Sequence, residues 1–235
     1  VISGVAHTPL KLKNLTITKI SRLGKMLIFE FDNETFLLSH LGMTGTWLVG
    51  VDLKPEKHGH LTLVGENYTI IYDDPRRFGH LYHLTKIEKD KKLANLSKDL
   101  IELSLDEITF ALKKYPERSL KVTLLDQKLF AGSGNYIANE ICARAGILPT
   151  RQCKKIKESE FEKIYKAIKL VINPAIQSGG TTFQGGYRDT SGERGQGLEH
   201  LVVFHQKICQ MCKKTAVKKI VLAQRGTFFC PKCQK

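Results

Sequence analysis

The sequence predicts an α+β chain: an antiparallel β-domain, then a helical domain, then a small cysteine hairpin. Three observations predict it. The first hundred residues fall into short β-branched or aromatic runs, the apolar period turns helical from Ser104, and two Cys-x2-Cys pairs lie near the C-terminal end.

Leu15 to Ile20, Met26 to Phe31, Thr35 to His40, Leu61 to Val64 and Tyr68 to Tyr72 read as strands, with Asp32-Asn33 and Gly65-Glu66-Asn67 as hairpin turns. Ser104 and Glu107 form a capping box ahead of Leu105, Ile108, Ala111 and Leu112, a helix that stops by Pro116. Residues 119 to 130 give a second helical segment ending at Gly132. Asn135 is placed as the N-cap of a third, which runs to a C-cap at Gly146. Ser159 and Glu162 repeat the capping-box pattern before a longer helix with Phe161, Ile164, Tyr165, Ile168 and Ile172 on one face. Pro174 is expected to kink or end it. Gly179 to Gly197, rich in glycine and polar residues, reads as a mobile loop. The expected domains are 1–103 (β-rich), 104–200 (helical, with the loop) and 201–235 (the cysteine module).

At 235 residues and 42% apolar, the chain can bury one or two ordinary cores without disulfides. Lys plus Arg number 37 against 23 acids, a formal charge of +14, and the sequence pI is about 9.5, so the partner expected is a polyanion. A membrane surface is disfavoured, because no apolar run approaches ~20 residues and no basic amphipathic helix has a bulky apolar face. Val1-Ile2-Ser3-Gly4 has the character of no signal peptide, so a cytoplasmic, nucleoid-associated monomer is expected. In that reducing compartment the six cysteines serve as metal ligands or buried thiols.

Cys209-x2-Cys212 and Cys230-x2-Cys233, with seventeen residues between the pairs, have the spacing of a four-thiolate zinc site. Val217 to Leu222 and Thr227 to Phe229 can pair as a hairpin between them, with Gln224-Arg225-Gly226 at the turn. A closed four-sulfur site holds a module together and does no chemistry. What it presents is basic: Lys213, Lys214, Lys218 and Lys219 surround it, and Arg225 offers a guanidinium suited to phosphate. Cys142 and Cys153 have no ligand partners at suitable spacing and read as packing residues.

Four further motifs occur in order: Ser39-His40-Leu41-Gly42-Met43-Thr44-Gly45, Asp74-Pro75-Arg76-Arg77-Phe78-Gly79, Leu125-Asp126-Gln127 leading to Gly134-Asn135, and Gln224-Arg225-Gly226-Thr227. Together with the quartet they resemble the formamidopyrimidine-DNA glycosylase family from about Leu15 to Lys235. The resemblance implies an antiparallel β-sandwich N-terminal domain, a helical domain with a helix, two turns, helix element, and a C-terminal zinc-finger hairpin. It also implies a base-excision enzyme that removes oxidised purines (formamidopyrimidine, 8-oxoguanine) from double-stranded DNA, cleaves abasic sites by β,δ-elimination, and carries one structural zinc.

Such an enzyme must take a base out of the stack and fill the hole. Met43, Arg76 and Phe78 match the family's void-filling trio; the alternative makes Met43 and Phe78 core residues and Arg76 a solvated charge. Asn135, at a helix start where backbone N–H groups bind phosphate, matches the DNA-binding element, with Glu140 as its support. Arg76, His58 and Lys121 match DNA-contacting positions. Lys25 falls on the family's lysine for lesion recognition and strand cleavage, and Arg225 is its supporting proton donor. Thr181-Thr182 and the loop through Tyr187 and Arg188 resemble the lesion-capping segment.

One departure stands out. The family's nucleophile is an N-terminal proline followed by a glutamate, and no Pro-Glu pair sits at the start of these 235 residues. The Pro55-Glu56 pair is internal. Two expectations follow: an N-terminally incomplete record of an enzyme, with little glycosylase activity as written, or a relic that binds damaged or abasic DNA without cutting. A zinc-ribbon RNA binder is a third reading, disfavoured by an aromatic content of 8% with no stacking run.

Overall fold

The computed structural model describes residues 4–183 and 188–235. The chain divides into two compact units: Val1–Asn95 with Ser178–Leu198, and Leu96–Gln177 with Glu199–Lys235.

In the first unit, β1 (Ile17–Leu23), β2 (Met26–Phe31), β3 (Phe36–His40) and β7 (His80–Leu84) form one sheet in the order β1-β2-β3-β7. β4 (Thr46–Gly50), β6 (Thr69–Asp73) and β5 (Gly59–Val64) form the second, in the order β4-β6-β5. All these strand pairs are antiparallel. Alternate side chains turn inward, so Phe29, Phe31 and Leu37 from one sheet meet Trp47, Leu61, Ile70 and Tyr72 from the other in a single core. The Trp47 indole N–H, which would be orphaned there, donates to Ser39 Oγ at 3.0 Å. The result is the sandwich that the family resemblance implies.

Three elements go beyond the sequence expectation: β4, β7 and α1 (Lys86–Leu93). The α1 helix buries none of its side chains, and a Thr85–Glu88 capping box fixes its start. Lys89 and Lys92 lay their ammonium groups over Phe36 and Tyr82, at 4.3 and 3.5 Å from the ring centres. Segment 188–197, expected with the helical region, lies along the free edge of β4, where Val49 N donates to Thr190 O at 2.9 Å. An edge strand is an open row of backbone groups, and this segment covers part of it.

The second unit packs α2 (Leu105–Lys113), α3 (Leu120–Leu124), α4 (Asn135–Arg144) and α5 (Glu158–Gln177) around Ile108, Leu112, Leu120, Leu124, Phe130, Ile141, Ile164 and Ile168. The hairpin of β8 (Lys218–Leu222) and β9 (Arg225–Phe229) leans on α4. No described helix is long and apolar enough to cross a membrane.

The Ser104–Glu107 box forms as expected. Three local expectations are corrected. The second helical segment ends after Leu124, because the Asp126 carboxylate takes the Lys128 N–H and turns the chain. Gly134 is the cap of α4, and the Asn135 side chain is spent elsewhere. The α5 helix starts at Glu158, ahead of the Ser159 box, where Glu160 accepts from Lys157 N at 2.8 Å. The helix ends at Gln177, three residues past the Pro174 expected to kink or end it, and a proline in the last turn removes only one intrahelical bond.

Glu140 is the keystone of this unit. Its carboxylate is buried and accepts the backbone N–H groups of Val202, Val203 and Phe204 at 2.8–2.9 Å. Burial pushes its pKa above the usual carboxylate value, opposed by those three donors. It therefore fixes the segment leading into the cysteine module, whereas the sequence reading makes it a support of the Asn135 helix element. Glu140→Gln leaves one carbonyl oxygen for three amides and should cost the second unit at least ~2 kcal/mol. Thermal unfolding and amide exchange at 202–204 measure this, and an unchanged midpoint with unchanged protection would contradict it.

Candidate nucleic-acid interface

In the β unit, the loop after β3 and the loop after β6 are built against each other. Asp74, fully buried, joins them: its Oδ1 accepts from Thr44 Oγ1 at 2.6 Å and Arg76 N at 3.3 Å, and its Oδ2 from Gly79 N at 2.7 Å. Gly42 sits at φ +66°, and a Cβ there would lie 2.4 Å from the Phe78 carbonyl carbon. Only glycine meets both demands.

The three void-filling candidates stand out from these fixed loops. Met43 is 56% exposed and Phe78 48% exposed, so neither is a core residue. Arg76 places its guanidinium 4.5 Å from the centre of the Phe78 ring. Two bulky apolar groups and a cation thus stand exposed together on adjacent loops.

Lys25 is exposed in the two-residue turn between β1 and β2, behind Gly24 at φ +58°, a positive φ such as a primed hairpin turn takes at its first position. The sheet register sets His40 between Met26 and His80. Burial, then His80, then Lys25 hold the His40 ring below the usual histidine pKa. His80 is lowered as well, first by burial and then by His7, whose Nε2 lies 2.6 Å from His80 Nδ1. The sequence places His40 and Asp74 inside motifs but assigns neither a role. The polar character of the β3 end and the Asp-Pro turn are the available signals. His58 is half-buried before β5, its carbonyl accepting from Asp74 N at 3.0 Å and its ring close enough to Asp73 to affect that carboxylate.

In the second unit the Asn135 amide donates to Gly226 O at 3.1 Å, and Lys121 Nζ reaches Thr227 Oγ1 at 2.6 Å and Gly226 O at 3.3 Å. Asn139 accepts from Phe228 N at 2.7 Å and donates to Asn135 O at 2.6 Å. The start of α4 and the start of β9 are thus one assembly. Arg225 is exposed beside it, directly after a turn made by Ala223 and Gln224, which both take positive φ. That turn lies one residue ahead of the expected Gln224-Arg225-Gly226. Lys121 is buried. Burial, opposed by Cys142 and joined by Arg225, lowers its pKa from 10.5 to about 8.

The four sulfurs of Cys209, Cys212, Cys230 and Cys233 lie within 4.8 Å of one another, with Cys212 Sγ and Cys230 Sγ 3.9 Å apart. A tetrahedral zinc with bonds of about 2.3 Å places its sulfurs about 3.8 Å apart, so the quartet fits the ion. Zinc here would clamp both knuckles and the hairpin between them. Cys142 and Cys153 are buried apart from this group, as expected of packing residues.

Of the lesion-capping candidates, Thr181 and Thr182 are buried at the base of their loop, Thr182 Oγ1 accepting from Gly195 N at 2.9 Å. Arg188 N donates to Thr46 Oγ1 at 3.3 Å. Tyr187 lies outside the described residues.

Comparison with known proteins places this geometry. Residues 4–81 match the model of the formamidopyrimidine-DNA glycosylase N-terminal domain, 96–185 that of the formamidopyrimidine-DNA glycosylase H2TH domain, and 208–235 that of the zinc finger found in FPG and IleRS. The formamidopyrimidine-DNA glycosylase of Desulfitobacterium hafniense is 35% identical over 228 residues, 94% of this chain and 83% of that protein. The Thermus thermophilus enzyme of the same name is 35% identical over 224 residues, 93% and 82% of the two chains. The crystal structure of the MutM (Fpg) protein from Thermus thermophilus superposes with a TM-score of 0.87 at 32% identity, over 97% of this chain and 86% of that one. Lactococcus lactis Fpg in complex with an abasic site containing DNA gives 0.83 at 30%, over 94% and 82%.

Two outcomes are expected. Purified protein should hold about one zinc, and Cys230→Ser should lose it and raise amide exchange through β9. Near-zero zinc in protein prepared without chelator would contradict this. Lys121, lowered to about 8 when folded against 10.5 ordinarily, binds more protons in the unfolded chain between those values. Stability of the second unit should therefore rise as pH climbs from about 8 to about 10.5, and Lys121→Met should flatten that rise. A rise of equal size in the variant would assign it to other groups.

Proposed function

The chain belongs to the formamidopyrimidine-DNA glycosylase family, and from that membership we propose that it is a base-excision-repair DNA glycosylase that also cleaves abasic sites. Its substrates on this reading are formamidopyrimidine and 8-oxoguanine lesions in duplex DNA, with strand cleavage by β,δ-elimination. The observation that carries the reading is the pair of Asp74-locked loops with Met43, Arg76 and Phe78 exposed on them.

Excision needs the base turned out and the gap occupied, and these three residues supply two apolar wedges and a guanidinium for the estranged partner. Arg225 and the Asn135 helix start hold backbone phosphates, with His58 and Lys121 as further contacts. Lys25 and Arg225 are the supporting proton donors of elimination. The attacking amine must be neutral, which favours an α-amino group, with a reference pKa of about 8, over an exposed lysine near about 10.4. Lys25 is therefore assigned to proton transfer and not to attack. The chain acts as a monomer in the cytoplasm, at the nucleoid.

Affinity for duplex DNA should fall steeply from low to physiological salt, and Arg225→Ala should reduce both affinity and slope, by about one unit for one lost phosphate contact. Met43→Ala and Phe78→Ala should spare undamaged duplex but weaken binding to an abasic analogue by about 10-fold each, a loss typical of a stacked aromatic or apolar contact. Equal losses on both substrates would make these side chains structural. Borohydride trapping on 8-oxoguanine and abasic duplexes reads the chemistry. Trapping abolished by Lys25→Ala would move the nucleophile to Lys25, and tight abasic-site binding without trapping or excision would favour the binding-only relic.

A further inference from the structure

Just ahead of the cysteine module, Val203 to Gln206 form a turn closed by Gln206 N, which donates to Val203 O at 3.1 Å. The third residue of this turn, His205, takes φ +58°. Such a position asks for glycine or asparagine, because a β-carbon crowds the backbone at positive φ. A histidine stands there instead. Its ring lies edge-on to Phe204, 4.5 Å between centres, and 4.8 Å from the centre of Phe228, yet the residue remains exposed. The amides of Val202, Val203 and Phe204 are held by the Glu140 carboxylate, so the turn that presents the ring is tied to α4.

Lys219 approaches the same Phe228 ring from β8, its Nζ 5.6 Å from the ring centre. The hairpin register sets Lys219 opposite Phe228, and the β-carbon that Gly226 lacks would lie 3.6 Å from Lys219 Cε and 3.5 Å from the Phe228 ring. These three positions therefore share one face of the hairpin. Phe228 N donates to Asn139, and Gly226 O accepts from Asn135 and Lys121, so His205 and Lys219 stand on the same assembly as the start of α4. Lying against one ring, they are close enough for the flexible lysine stem to bring its ammonium to a group that the imidazole holds.

Charge selects that group. From His205 to Lys235 the chain carries eight Lys and Arg residues and no acid, and the nearby Glu140 carboxylate is taken up by three amides. An imidazole N–H beside an ammonium in such a field suits a phosphate oxygen.

We propose that His205 and Lys219 form a phosphate-binding pair, separate from Arg225, that takes one backbone phosphodiester of duplex DNA. Lys219 supplies the charge, the His205 ring N–H supplies the hydrogen bond, and Phe228 is the platform that holds both. The proposal rests on the reading of the chain as a DNA-binding repair enzyme. On it, a turn position that suits glycine carries histidine because the ring meets DNA.

The test uses the full zinc-loaded chain and a duplex with one tetrahydrofuran abasic analogue, which fixes the register of binding. His205→Gly and His205→Asn both suit the turn, so both should fold and retain zinc. Each should bind about 10-fold more weakly, the effect of one lost hydrogen bond to a charged group. Lys219→Gln should lose a similar factor and lower the salt slope by about one. Neutral methylphosphonates placed one at a time along the duplex should reveal one position where the wild type loses that same factor and the His205 and Lys219 variants lose little more. On wild-type protein, the His205 ring nitrogen resonances should shift on saturation with the all-phosphate duplex and stay in place with the duplex neutralised at that position. Variants that bind like the wild type would overturn the proposal, as would losses that no single methylphosphonate position masks for both residues. A His205 ring that ignores the all-phosphate duplex overturns it without any variant. A wild type that fails to bind the duplex brings down the DNA-binding reading itself, and the pair falls with it.

Discussion

A backbone amide buried away from water must find an acceptor, and in each unit of this chain one carboxylate supplies acceptors to a loop that could not otherwise be rigid. Asp74 takes the amides of Arg76 and Gly79 and the hydroxyl of Thr44. Glu140 takes three consecutive amides leading to the cysteine module. Each converts irregular chain into a fixed platform, which is the condition for placing a wedge or a phosphate contact to within a fraction of an ångström.

The charge distribution follows the same division. From His205 to Lys235 the chain carries eight Lys and Arg residues and no acid, so even four thiolates around a dication leave the module strongly positive. Among the described residues no acidic side chain forms an ion pair with the module. The described Lys121 amine meets only a carbonyl and a hydroxyl, and its lowered pKa records what that costs. A phosphate ester near Arg225 and Asn135 would relieve this, which makes the positive field a binding feature and a burden on the free protein at once.

Much of the site is legible in the sequence because its signals are local. Two Cys-x2-Cys turns need no tertiary information to make a ligand set, and the Ser104–Glu107 box forms just as its spacing implies. What escapes is set by contacts distant in sequence. The α1 helix has no buried face for periodicity to detect, although its Thr85–Glu88 box is available. The β7 strand, His-Leu-Tyr-His-Leu, alternates with histidines whose polarity resembles that of a loop, and β4 follows directly on the Met43 turn. Asn135 has the composition of an N-cap, yet its amide is claimed by Gly226, ninety-one residues away. A lysine buried at the end of an extended stem, Lys121, looks in sequence like any surface cation.

The central claim is that the Asp74-locked loops enter the duplex at the lesion. The direct measurement is the fluorescence of 2-aminopurine placed beside an abasic analogue in duplex DNA, read with saturating protein. Unstacking by the wedge should raise the emission with the wild type and leave it near the free-duplex level with the Met43→Ala, Phe78→Ala double variant bound to saturation. The same rise with wild type and double variant would contradict the account.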